Sequence, residues 1–220
     1  MRSSRREQGK IKGCLASLIL FFAIVSGVAL LAGRLTATPN LGAAPGGASH
    51  GPTPSAIATY IAQQVNGQWL NSQNAVVVLS EKDLTVVAQA SNPDPSRFAN
   101  PQVRVRSNQV IVDAVSNIGP LVVVSTSAIA LSVDSQDASA PTLQTDVADF
   151  KIGLQEIPGF IRSGYDPRGP AALSLATVLN DTPDMASLRN DLECVAVKSD
   201  GVHLGFHRPN SPASPNSCNS

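Results

Sequence analysis

Neither sign of charge is in excess in this chain. Its 16 basic side chains are balanced by 16 acidic ones, which leaves no electrostatic footprint for a polyanion and excludes nucleic acid as a partner class. The strings that carry standard catalysis are missing as well: there is no G-x-S-x-G, H-E-x-x-H, C-x-x-C, P-loop or G-x-G-x-x-G. No loop supplies the oxygen ligands that a hard cation needs, so Asp134 with Asp137, and Asp146 with Asp149, read as solvated carboxylates. His203 and His207 are four positions apart on a predicted strand, roughly 13 Å between Cα atoms, too far to share one ion. They read as exposed strand histidines. With no catalytic residue, no metal ligand and no cofactor motif, the expectation is a protein that is not an enzyme.

What is present begins with an uncharged apolar run, residues 15 to 33. At ~1.5 Å per residue it nearly spans a ~30 Å hydrocarbon core. Arg2, Arg5, Arg6, Lys10 and Lys12 precede it and only Arg34 follows at once, an asymmetry that places the N-terminus in the cytoplasm. A cleaved signal peptide is the alternative, with small residues near Ala37 as a cleavage site, but its apolar core usually runs only ~7 to 15 residues. The expectation is therefore an uncleaved single-pass anchor in the plasma membrane, with the C-terminal domain extracytoplasmic. Residues 37 to 55, ATPNLGAAPGGASHGPTPS, are rich in proline and glycine and have the composition of a linker. The predicted organisation is a basic cytoplasmic segment (1–13), a transmembrane helix (14–34), a linker (35–55), an α+β domain (56–207) and a disordered tail (208–220).

Within the outer domain, Ile57, Ile61, Val65 and Trp69 recur at helical spacing and make one apolar helix face. Val76 to Leu79 then suit a strand, and Ser80 with Asp83 forms a loose capping box that opens a short helix carrying Leu84, Val87 and Ala88. That helix should stop before Asn92-Pro93-Asp94-Pro95, because each proline pushes its predecessor out of helical geometry. Val103 and Val105 alternate with Arg104 and Arg106, and a turn at Ser107-Asn108 leads into a second strand through Val110 and Val112. Residues 121 to 135 are the longest β run. In residues 142 to 154 the apolar phase slips by one position near Val147, the mark of a β-bulge. A helix is predicted over 171–179 and a hairpin over 192–207, turning at Asp200-Gly201. The order predicts an α+β fold in which an N-terminal transmembrane helix precedes a long curved antiparallel sheet packed with amphipathic helices.

The strings LSEKDLTVVAQ, VRVRSNQVIVDA and VADFKIGLQEIPGF, with the closing VAVKSDGVHLGF, resemble anchored envelope proteins of the YpmS and LmeA type, which are similar to tubular lipid-binding (TULIP-like) domains. The resemblance covers roughly residues 57 to 207 and rests on Leu79-Ser80-Glu81-Lys82-Asp83-Leu84 and on Gly153-Leu154-Gln155-Glu156-Ile157-Pro158. It implies a curved sheet wrapped around helices, with an apolar groove for a phospholipid or glycolipid chain.

On that reading the groove candidates are Leu121, Val123, Ile129, Leu131, Phe150, Ile152 and Leu154, with small Ser125 and Ser127 leaving room for a chain. The alternative is a filled core, in which Ile57, Ile61, Val65 and Trp69 occupy that space and the domain works through an envelope protein partner. Arg104, Arg106, Arg162 and Arg168 are candidates for anionic headgroups through bidentate phosphate contacts, or belong to an ordinary solvent face. Cys194 and Cys218 would both lie outside the membrane, where a disulfide persists; Cys194 as a buried free thiol is the alternative.

Overall fold

Thr53 opens the domain by capping a helix: its Oγ1 accepts the Ala56 N–H at 3.2 Å, and Pro54 follows at a position where a missing N–H costs nothing. The computed structural model describes residues 4–211 apart from 91, 93, 97, 107, 119–120, 135–140 and 159–184, together with Cys218. Over those residues the elements run α1 (Ser4–Thr36), α2 (Pro54–Trp69), β1 (Asn74–Leu79), α3 (Glu81–Ala90), β2 (Phe98–Arg106), β3 (Gln109–Ile118), β4 (Leu121–Asp134), β5 (Thr142–Ile152), β6 (Gln155–Glu156), α4 (Ala186–Arg189), β7 (Leu192–Lys198) and β8 (Gly201–His207). The helix predicted over 171–179 lies outside the described residues.

Two parts of the expected fold are overturned. Among the described residues no helix is long and apolar enough to cross a membrane. From Leu20 to the end of α1 at Thr36 the chain includes Ser26, Gly27, Gly33 and Arg34, which interrupt its apolar surface. Its large side chains, among them Phe21, Phe22 and Leu30, are exposed. Nor do the strands form one long sheet. They divide into a three-stranded sheet, β1-β8-β7, and a five-stranded sheet, β2-β3-β4-β5-β6, with all pairings antiparallel.

The division follows from where the last hairpin goes. β8 pairs along the whole of β1, from Asn74 opposite His207 to Leu79 opposite Val202, so the end of the domain closes against its beginning. Ala75, Val77 and Leu79 alternate inward on β1 and meet the buried Ile57, Ile61 and Val65 face of α2 and Val202, Leu204 and Phe206 of β8. The same cluster continues through Val103 and Val105 of β2, Val110 and Val112 of β3 and Ile129 of β4. Fully burying one such aliphatic side chain stabilises the fold by about 1.5–3 kcal/mol.

Both helices also close sheet edges. Gln68 of α2 acts as an amide fork on β1, Nε2 donating to the Val76 carbonyl and Oε1 accepting the Val76 N–H, each at 2.9 Å. Along α3 the side chains of Glu81, Thr85 and Gln89 meet β2 at Val105, Val103 and Pro101: Glu81 accepts the Val105 N–H at 2.8 Å, Thr85 Oγ1 accepts the Val103 N–H at 3.0 Å, and Gln89 Nε2 donates to the Pro101 carbonyl at 3.2 Å. The match is geometric: four helical residues rise ~6 Å and two strand residues ~6.6 Å, so positions i, i+4 and i+8 of the helix keep step with alternate residues of the strand. Such cover removes the edge as a template for pairing with another chain. On β5, Asp149 pairs with Ala128 and Val147 with Ile129, so Ala148 is the extra residue of the bulge.

Candidate functional site

Ser80 ends β1 and caps α3. The Asp83 N–H donates to Ser80 Oγ at 3.2 Å, and the Ser80 N–H donates to Asp83 Oδ2 at 3.0 Å, a reciprocal capping box. Asp83 is 0% exposed and accepts more than the box: His50 gives it two hydrogen bonds, from the backbone N–H to Oδ1 at 2.6 Å and from Nδ1 to Oδ2 at 2.8 Å. The carboxylate only accepts, so it assigns the proton to Nδ1. Tyr60 of α2 stacks on the imidazole, ring centroids 3.9 Å apart and planes within 9°. Burial, and then the charge of Asp83, raise the Tyr60 pKa above its ordinary value.

His50 belongs to the segment whose composition reads as a linker. The segment is docked along the domain. From Ala37 to Leu41 alternate residues, Ala37, Pro39 and Leu41, are half-buried, while Thr38 and Asn40 between them are exposed, the period of an extended strap lying on a surface. At its start the Leu154 N–H donates to the Arg34 carbonyl at 2.9 Å. Further on Arg104 Nε donates to the Ala43 carbonyl at 2.8 Å, Glu81 Oε2 accepts the Gly46 N–H at 2.5 Å, and Ser80 Oγ lies 2.8 Å from the Ala48 carbonyl. Gly47 has φ +83, and a Cβ there would stand 2.6 Å from Ser80 Cβ. Only glycine fits so close to the helix start in that left-handed conformation.

Charged groups gather under the strap. Glu81 Oε1 accepts from the Val105 N–H and from Arg106 Nη1 at 2.6 Å. Burial works to raise the Glu81 pKa, but the N–H groups of Val105 and Gly46 and the Arg106 guanidinium outweigh it and hold the carboxyl below its ordinary value. Beside this, Arg104 and Asp113 form a buried ion pair across β2 and β3. Desolvation pushes the Asp113 pKa up, and the Arg104 contact offsets that only in part.

A serine, a histidine and an aspartate thus meet at one point. Ser80 Oγ and His50 Nδ1 both turn to the same carboxylate, however, and the hydroxyl has no imidazole to receive its proton. The arrangement is a clasp and lacks the geometry of a nucleophilic triad. Among the described residues no group of three or more His, Cys, Asp or Glu side chains could hold a metal ion. His203, expected to be an exposed strand histidine, is 8% exposed and its Nε2 meets Asp200 at 2.8 Å.

By register Leu121, Val123, Ile129, Leu131, Phe150 and Ile152 fall on one face of the sheet. Burial varies along it: Ile129 belongs to the main core, against which Leu131 is packed; Val123 and Phe150 are buried outside that cluster; Ile152 is half-buried; Leu121 is 42% exposed, as is Leu154 beyond β5 at 56%. Ser125 is buried and its hydroxyl meets that of Ser116 at 2.7 Å. Of the headgroup candidates, Arg104 is buried against Asp113, Arg106 meets Glu81 while its side chain stays 43% exposed, and Arg162 and Arg168 lie outside the described residues. Cys194 of β7 is joined to Cys218 in a disulfide, Cα atoms 6.0 Å apart. The clasp itself escapes sequence reasoning except for the Ser80 and Asp83 box, since Glu81, Arg104, Asp113 and His50 carry no local signature of one another. No protein-family description, curated protein or solved structure matches this chain.

Proposed function

We propose that the chain is a non-enzymatic interaction module working outside the cytoplasm, which binds its partner on its surface and not within its interior. The observation that carries this reading is the continuous core: Ile57, Ile61 and Val65 of α2 are 0% exposed and join Ile129 of β4 and the inward side chains of β1, β2, β3 and β8 in one cluster. On this reading helix side chains take the space that an acyl chain would need. The bond between Cys194 and Cys218 supports the compartment, because structural disulfides persist in oxidising surroundings.

Lipid handling is the second reading. Its support is the likeness to tubular lipid-binding domains together with Val115 and Val122, which lie on one face of the sheet, are 37% and 65% exposed, and offer acyl chains apolar surface. Native mass spectrometry of the purified full chain, followed by solvent extraction, tests both. A bare polypeptide that takes up no added phospholipid is expected for the module. A stoichiometric lipid adduct would replace it with the lipid reading.

A further inference from the structure

Beside the clasp, α3, the first half of β2 and the strap enclose a shallow groove in two lobes. The larger, about 320 Å3, lies between Pro45, Lys82, Val86, Gln89 and Gln102. The smaller, about 230 Å3, is floored by Pro101 and flanked by Asn100 and, again, Gln89. Gln89 lines both.

The backbone is irregular beside this groove. The pairing of β2 with β3 shifts register between Ala99 and Gln102, and within that bulge Asn100 stands at φ 49. Bulges re-aim side chains, and a left-handed non-glycine residue persists where the surroundings hold it. The side-chain amides of Asn100 and Gln102 and the ammonium of Lys82 have no hydrogen-bond partner among the described residues, whereas the nearby carboxylates Glu81 and Asp83 are turned to the strap and engaged there. Among the described residues the groove therefore presents two unpaired neutral amides, a third, Gln89, that already donates to Pro101, one cation and no acid.

That chemistry narrows the ligand. A peptide strand adding to β2 would need its backbone N–H groups, but those of Val103 and Val105 are taken by Thr85 and Glu81 and Pro101 has none. One lysine is too little for a polyphosphate or a polyanion. Amides present a donor and an acceptor side by side and suit hydroxyl groups, which also do both. The walls of Pro45, Pro101 and Val86 offer C–H surface. We propose that this groove binds a saccharide, with Asn100, Gln102 and Gln89 on ring hydroxyls and Lys82 on the carboxylate of an acidic sugar. This names the partner class of the interaction module and rests on that reading.

The test is a titration of the 15N-labelled full chain, followed by NMR, with cellobiose, with a glucuronate-containing disaccharide and with tetra-alanine, each to about 10 mM, where even a millimolar Kd saturates the site. Expected are shifts of the Asn100, Gln102 and Gln89 side-chain amides with both sugars, and about fivefold tighter binding of the acidic one, equal to ~1 kcal/mol from Lys82. Lys82→Gln should remove that preference alone. Asn100→Gly with Gln102→Ala should weaken both sugars at least about tenfold; glycine keeps the left-handed backbone, so the fold and its melting temperature are preserved. Silence with both sugars, shifts that survive the double substitution, or stronger shifts with tetra-alanine would overturn the saccharide site. A lipid adduct in the mass spectrum would instead overturn the interaction module, so the two failures are distinguishable.

Discussion

Asp83 holds His50, 33 positions earlier in the chain, by two hydrogen bonds: 2.6 Å from the backbone N–H and 2.8 Å from Nδ1. The same carboxylate completes the cap of α3 through Ser80. Docking of the strap and the start of the helix thus depend on one buried side chain.

Asp83→Ala should accordingly be costly. It removes a cap worth about 1 kcal/mol and leaves the buried N–H of Ser80 unpaired at about 1–3 kcal/mol more. Urea unfolding should show a loss of roughly 3 kcal/mol. His50→Ala leaves the capping box in place and should lower global stability by no more than about 1 kcal/mol, while hydrogen exchange across residues 46 to 50 rises.

Gly47→Ala tests the close approach. The new methyl would meet Ser80 Cβ at 2.6 Å from a backbone already at φ +83. The strap is expected to lift, with a loss of at least about 1 kcal/mol and faster proteolytic cleavage between residues 42 and 51. Gly67→Ala, where nothing stands within 4 Å of the new carbon, should stabilise α2 by up to about 1 kcal/mol as the matched control.

The two acids near the strap should give stability opposite dependences on pH. Glu81 is held below its ordinary pKa, so its contribution is present above the unfolded value, about 4.3, and is lost as pH falls through the lower folded value. Asp113 is pushed up by burial, so its contribution is fully present below about 3.9 and is lost as pH rises through its folded value. Urea midpoints measured from pH 3 to pH 7 should fall less on the acid side in Glu81→Gln than in the parent, and Asp113→Asn should change the profile in the opposite sense. Parallel profiles in all three proteins would contradict both assignments.

The Cys194–Cys218 bond closes 24 positions of chain onto β7. On the chain-entropy estimate it stabilises the fold by roughly 3 kcal/mol. Unfolding in urea with and without reductant should differ by about that amount, and Cys194→Ala with Cys218→Ala should match the reduced protein.

Local features of the molecule were legible in the sequence because their partners are close in the chain. The Ser80 and Asp83 box is three positions wide; the Ala148 bulge shows as a slip in apolar phase; the turn before Gly201 is flanked by two alternating strands. The strap was not legible, since proline and glycine are equally the composition of a flexible linker and of a segment that must pass close to a helix end. Alternation sets Arg104 on the face of β2 opposite Val103 and Val105, yet it does not reveal that Ala43, 61 positions away, covers that side.

The sequence by itself determined the local elements: periodicity, capping and turn chemistry depend on neighbours within a few residues, and those select helix, strand or break at each point. Tertiary structure alone decided that the strands divide into two sheets, that α2 fills the core, and that a glycine-rich strap lies over buried charges. Those outcomes depend on which distant surfaces exclude water together and which buried donors find acceptors, energies that exist only once the chain has closed on itself.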